Sequence, residues 1–360
     1  MTKQLSDREF NDLIRKAKQC VQDGVGCLAR VPLDGWGPMI DSSVPDPWST
    51  AQGIYALCRA NHHVRGRNPI PGLAEKCRNA ATFLKTTPLR VGTEGARASV
   101  DAGAYRDSPS DSKLDVATTA WVAFGLQYLR DYPPAGYVFD ADLVAMINES
   151  LGWVNGMPLK SGGWPDYKGG PNPDPPPFNY ATAFAIKGLA TLSVDAGKTP
   201  PPFETRPTIG GGIHHFFEIR ELGRGWANVG KRGASEPTFT AYCLDAIFDA
   251  VEFHGTELRM RPLRQALVWL MEKRAEDGFW SGESSIVRSG EATAYAIYVL
   301  LRAGLNPRLR FVEETLDPLL SRRTQRGGWR IDLDETQSSE SCWVTMNVLV
   351  ALTEFLLRAE

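Results

Sequence analysis

Four carboxylates stand close to the start of an apolar segment opened by a Thr: Asp46, Asp115 and Glu236 four residues before Thr50, Thr119 and Thr240, and Glu291 two before Thr293. Two chemistries suit such a carboxyl. It can cap a helix by accepting a free first-turn N–H, or, in apolar surroundings, it can keep its proton at neutral pH and act as a general acid. Asp46 precedes Pro47, the pattern of an N-cap followed by proline at the first helical position. Asp115, Ser289 and Ser341 fit the cap, and Asn179 can serve where Phe178 cannot. Glu is a poor N-cap, so Glu236 fits less well. Glu291 lies inside the first turn, where the helix dipole favours a carboxylate, and is the sharper candidate for an acid. Aromatic residues crowd the same positions: Trp48, Phe178, Tyr180 and Trp343 near the starts, Trp121, Tyr242 and Tyr295 just inside. Their rings either wall an apolar cavity, where π faces stabilise cations, or pack the helices.

The elements that position these residues recur. Thr-Ala, four residues, a small residue and a large aliphatic one appear at Thr50, Thr119, Thr182, Thr240 and Thr293, and in loosened form at Thr345. The threonines are 52 to 69 residues apart, a period that signals a repeat array. A second marker, an aromatic usually after Gly, precedes each Thr: Trp36, Tyr105, Trp164, Trp226, Phe279 and Trp329. Apolar spacing around each Thr is helical, over 49–61, 118–130, 180–192, 238–252, 291–303 and 342–357. Upstream of each lies a more charged, amphipathic stretch: 7–22, 71–86, 141–155, 207–222, 261–275 and 310–324. The first set suits an inner ring and the second an outer ring with one wet face. The pattern predicts an all-α fold, an (α/α)6 toroid of six helix pairs occupying residues 1–360 as one domain, with its loops gathered at one mouth. The Pro/Gly-rich run 161–178 predicts an irregular loop able to cover that mouth.

Composition excludes several classes. A formal charge of −2 over 360 residues favours neither nucleic acid nor an anionic membrane as partner. Neither a secretory leader nor a membrane span is evident in the residues. The six cysteines form no C-x-x-C pair, which points to reduced thiols and a cytoplasmic location. His62-His63 and His214-His215 read as surface or packing residues. Residues 330–340 hold Asp332, Asp334, Glu335 and Glu340; they read as a solvated acidic loop, with Mg²⁺ bound to a diphosphate as the functional alternative. Lys231, Arg232 and Arg288 flank the fourth and fifth segments, either as solvated charges or as receivers of an anionic group.

The Gly-aromatic turns and Thr-Ala helix starts resemble the repeat superfamily of squalene and oxidosqualene cyclases, class II diterpene cyclases and protein prenyltransferase β-subunits. The likeness covers essentially the whole chain. Squalene-hopene-type cyclases carry D-x-D-D-T-A, whose middle Asp protonates an alkene or epoxide. Here Asp115-Val116-Ala117-Thr118-Thr119-Ala120 keeps the first Asp and Thr-Ala, but Ala117 replaces the donor. The Q-x3-G-x-W repeat survives as Arg274-x3-Gly278-x-Trp280, with Arg for Gln. The prenyltransferase zinc positions read Glu236-x-Thr238 and Ala292, with no soft ligand, so neither metal nor other cofactor is expected. The resemblance implies an isoprenoid-handling enzyme, protonating and cyclising a hydrophobic polyprenyl substrate. Glu291, in the donor's register of another repeat, would be the acid, with Asp115 and Glu236 in support. Trp48, Tyr180, Trp343 and Phe178 would bind the chain, and Arg288 an anionic end. The rivals are a non-catalytic toroid that binds a lipid, peptide or partner protein through the same mouth, and a carbohydrate-active enzyme with two opposed carboxylates.

Overall fold

Each repeat Thr is fully buried and fastens the same joint. Its hydroxyl accepts the backbone N–H of the upstream aromatic, at 3.0 Å for Thr50 and Trp36, 2.9 Å for Thr182 and Trp164, and 3.0 Å for Thr345 and Trp329. The aromatic side chain then donates to a carbonyl at the end of the preceding helix, as Trp164 Nε1 does to Val154 O at 2.8 Å. Tyr105 makes the equivalent bond to Leu84 O through its hydroxyl. In the fifth repeat the aromatic is Trp280 rather than Phe279: Trp280 donates its backbone N–H to Thr293 and its indole to Leu270 O. Both partners are buried, so each bond contributes about 1 kcal/mol net and would cost more to leave unmade. The recurring pair of markers is thus a clamp joining an outer helix, a turn and an inner helix.

The computed structural model of the chain describes all residues except 1–2, 33, 65–69, 88–89, 92–100, 107–112, 169–174, 193–203, 221–222, 230–233, 255–259, 283–287 and 335–338. Among the described residues there are twelve α-helices of eight residues or more. The inner ones are α2 (Pro47–Val64), α4 (Val116–Asp131), α6 (Asn179–Leu192), α8 (Pro237–His254), α10 (Gly290–Arg302) and α12 (Cys342–Ala359). They pack side by side in that order, and α12 closes on α2. The outer ones are α1 (Asp7–Ala29), α3 (Leu73–Thr86), α5 (Ala141–Asn155), α7 (Arg206–Ile219), α9 (Met260–Glu272) and α11 (Arg310–Ser321). The fold is therefore the α/α toroid that the repeat predicts, and helix ends fall within three residues of expectation except at α1.

The α1 helix runs on through Gly24 and Gly26 to Ala29, and Gly24 packs against α12. A Cβ on Gly24 would lie 2.9 Å from Leu349 Cδ2, so the Leu349 side chain of α12 would have to shift to admit one. Gly125 plays the same part in the inner ring, where a Cβ would meet Ala51 O at 2.6 Å. Residues of α4 from Val116 to Leu129 are buried all round, as a helix enclosed by others requires. By length and hydropathy α12 could cross a membrane, but it packs between α1, α2 and α10 and its residues are mostly buried.

The chain also carries strands, which an all-helical reading does not foresee. Strands β1 (Tyr105–Arg106), β2 (Leu114–Asp115) and β3 (Tyr167–Lys168) form a short antiparallel sheet in that order, with Asp115 opposite both Tyr105 and Tyr167. The Pro-rich run 161–178, expected to be irregular, supplies β3 and is further tied by bridges of Pro165 to Pro177 and Phe178 to Val229. Pro165 and Pro177 can face each other because the bond beside them is donated by Phe178 N–H to Trp164 O at 2.9 Å, so neither proline has to donate.

Candidate active site

Helical geometry decides which side chains reach the lumen. Residues four apart share a face, and the inward face carries the positions two before and two after each Thr. The upper layer holds Trp48, Ala117, Tyr180, Thr238, Glu291 and Trp343; the next holds Gln52, Trp121, Phe184, Tyr242, Tyr295 and Asn347. At the mouth formed by the helix starts, these layers and adjoining loops enclose a cavity of about 530 Å³. Trp48, Tyr180, Phe184, Phe239, Tyr242, Ile331 and Trp343 give it apolar walls, while Asn228, Thr238, Ser289 and Glu291 bring polar groups.

Glu291 is the one carboxyl among the described residues of this wall. Part of its surface opens to the cavity, but the surrounding rings remove it from bulk water. Burial pushes its pKa up to about 8, with a hydrogen bond from the Trp343 side chain pulling partly back. Tyr242 donates its hydroxyl to Glu291 Oε1. The carboxyl is thus protonated at neutral pH and gripped by donors from both neighbouring inner helices, α8 and α12. Tyr242 stacks edge-on against Tyr295, with centroids 4.6 Å apart, and lies 4.9 Å from Phe184. Trp48 packs edge-on against Phe184 at 5.0 Å. Tyr180 is oriented by donating its hydroxyl to Asp166.

Of the residues expected at the site, Glu291, Trp48, Tyr180 and Trp343 meet in this cavity; Asp115, Glu236, Phe178 and Arg288 are not among its wall residues. The split follows register, since the first four lie two before their Thr and three of the others four before it. Asp115 caps α4, accepting Thr118 N–H at 2.7 Å. Glu236 occupies the cap position ahead of Pro237, its carbonyl accepting Thr240 N–H at 3.0 Å. Phe178 pairs through its backbone with Val229 and lies against Tyr180 at 6.0 Å. Arg288 is spent on ion pairs with Asp277 and Asp334, so it is not placed to receive an anionic end. Asn179 does not cap α6; its amide donates to Ala227 O at 2.5 Å.

Among its described residues the acidic loop does not gather its carboxylates into a metal-holding group. Asp334 is also paired with Arg322 at 3.0 Å, while Glu340 turns inward, 8% exposed, beside Cys27. Glu335, Lys231 and Arg232 lie outside the described residues. His215 is buried and His214 exposed. Tyr242, which the sequence leaves between wall and packing, and Phe184, which it does not single out, are wall residues; the signal that finds both is their place four after Thr238 and Tyr180.

No family model matches the chain, and no curated protein does. Several solved structures share its fold. The type II terpene cyclase MstE from Scytonema, without ligand, is 16% identical with a TM-score of 0.60, covering 95% of this chain and 98% of its own. A variant of it holds its substrate, geranylgeranyl dihydroxybenzoate. Cellobiose 2-epimerase from Bacillus thermoamylovorans gives a TM-score of 0.72 at 12% identity, covering 96% and 99%. An α-1,6-mannanase of Salegentibacter gives 0.69 at 9%, covering 96% and 100%. The fold of this chain is accordingly the α/α toroid that a type II terpene cyclase shares with enzymes acting on sugars.

Proposed function

We propose that the upper cavity is the active site of a cyclase of the class II kind, which protonates an isoprenoid and lets it close into rings. The observation that carries this reading is Glu291: a protonated carboxyl facing an apolar, ring-walled cavity. It stands in the same layer as Ala117, the position of the missing donor, but three inner helices further round the ring. Proton transfer would break the Glu291 O–H bond and form a C–H bond with the alkene π pair, leaving a carboxylate and a carbocation. Burial keeps the proton loaded but also makes it harder to release. Tyr242 and Trp343 oppose that second effect, because their hydrogen bonds strengthen as negative charge develops on Glu291. The faces of Trp48, Tyr180 and Trp343 would stabilise the migrating cation, and loss of a proton from the last cation balances the reaction as an isomerisation.

A retaining or inverting glycosidase would need a second carboxyl across the substrate, and among the described wall residues Glu291 has none. The test is product formation from isoprenoids of fifteen to thirty carbons, roughly the range that a cavity of this size class admits. Glu291→Gln keeps the size and an acceptor for Tyr242 but carries no acidic proton, so turnover should vanish while the melting temperature does not fall. Undiminished turnover removes Glu291 as the acid. Bound ligand without turnover in either protein would make the toroid a binder.

A further inference from the structure

The far end of the lumen, at the C-terminal ends of the inner helices, encloses a second cavity of about 400 Å³. Most of its side chains come from positions five and nine after the repeat Thr, among them Tyr55, Phe124 and Lys187, then Arg59, Tyr128 and Arg302. Nothing in the reaction at the upper cavity uses them.

We propose that this lower cavity is a second binding site, for a neutral polyhydroxylated small molecule of monosaccharide size. Three observations select that chemistry. First, its charges are matched within the protein. Lys187 and Arg302 both hold Asp249, at 2.8 and 2.6 Å, and Arg59 holds Glu354 at 2.5 Å. A ligand carrying net charge would have to break open a buried pair of this kind, whereas a neutral one leaves them all intact. Second, hydrogen-bonding capacity is left over. Carboxylate oxygens with one donor each can take another from a ligand hydroxyl. The Tyr298 hydroxyl, on a residue only 3% exposed, has no hydrogen-bond partner among the described residues, although it borders the cavity. Third, rings supply apolar surface for the C–H side of such a ligand: Tyr128 and Tyr132 lie 4.6 Å apart, tilted by 36°, and Tyr132, 37% exposed, stands at the rim.

The test is saturable binding to the full chain, followed by calorimetry and ligand-observed NMR. Glucose and myo-inositol serve as neutral probes, with glucuronate and glucosamine as charged counterparts. A neutral probe should bind best. Tyr298→Phe, which deletes one hydroxyl, should weaken it roughly five- to tenfold with an unchanged melt. Tyr132→Ala, at the exposed rim, should weaken it too and carries little risk of misfolding. Binding of the neutral probe unaltered in both variants, tighter binding of a charged counterpart, or no saturable binding at all would overturn the proposal; in the last case water serves Tyr298 and the cavity is only a solvated floor.

Discussion

Glu291 at the upper end of the lumen and Asp245 at the lower end are set in neighbouring inner helices and both are removed from bulk water, yet they ionise in opposite senses. Burial pushes both upward. For Glu291 little opposes it, and the pKa settles at about 8. For Asp245 the charges of Lys187 and Arg302, 2.7 and 2.5 Å away, outweigh burial and bring it down to about 2. Depth alone therefore assigns no role to a buried carboxyl. The cation beside it does: pairing converts Asp245 into a structural anion, and the lack of one leaves Glu291 a loaded acid.

Breaking the lower end should have the largest effect. Lys187 is 3% exposed and stands between Asp245 and Asp249. Lys187→Met leaves two buried carboxylates to Arg302 alone and should cost about 3–5 kcal/mol in denaturant unfolding. The depressed pKa of Asp245 adds an acid signature: its stabilisation is present above 3.8, its ordinary value, and is lost as pH falls toward about 2. A loss below about 1 kcal/mol in Lys187→Met would show that the network does not hold the lower ring together.

Removing the ionisable group at the upper end should act with the opposite sign. The folded chain keeps a proton on Glu291 that the unfolded chain releases near 4.5, so this group's contribution to stability falls as pH rises from there to about 8. The slope is at most about 1.4 kcal/mol per pH unit. Glu291→Gln lacks this loss, and at pH 7 it should be more stable than the parent by about 1–3 kcal/mol once the open cavity face is allowed for. Thermal melts between pH 5 and pH 8, read as the difference between the two proteins, check it. A flat difference would mean that Glu291 ionises in the fold as it does in water.

Much of this contrast is legible in the sequence, but unevenly. The ring follows from Thr and aromatic markers because the clamp between them is local: both partners of each hydrogen bond lie within eighteen residues. Glu291 stands out through its register, and Trp48, Tyr180 and Trp343 share that register. Asp115 and Glu236 fall outside the cavity wall because a carboxylate four residues before Thr sits at the helix start and not on the inward face; at Asp115 the backbone takes it up as a cap. The lower network is harder to read: Lys187, Asp245, Arg302 and Glu354 keep a register of five or nine after their Thr, but they come from four different helices and their pairing is decided only when the ring closes. The three-stranded sheet escapes for a similar reason: two-residue strands carry no periodicity to read.

The smallest expected effect would sharpen the comparison most, because it tests whether hydrogen bonds at the upper end tune what burial sets. Trp343 is the group that pulls the Glu291 pKa downward, against burial. Trp343→Phe keeps a ring on the cavity wall but removes the indole N–H, so the carboxylate form of Glu291 loses a donor and its pKa should climb above about 8. If Glu291 is the acid, parent activity falls as pH rises through about 8, and in Trp343→Phe this alkaline limb should move upward by roughly half to one unit. At neutral pH Glu291 is largely protonated in both proteins, so the variant gains little in loaded acid. It should instead turn over more slowly, by roughly three- to tenfold, because the anion formed on proton release is less well held. A residue that only packed the wall would lower the rate without moving the limb. A limb that stays in place, or moves down, would therefore confine Trp343 to shaping the cavity and leave burial alone as the source of the acid at Glu291.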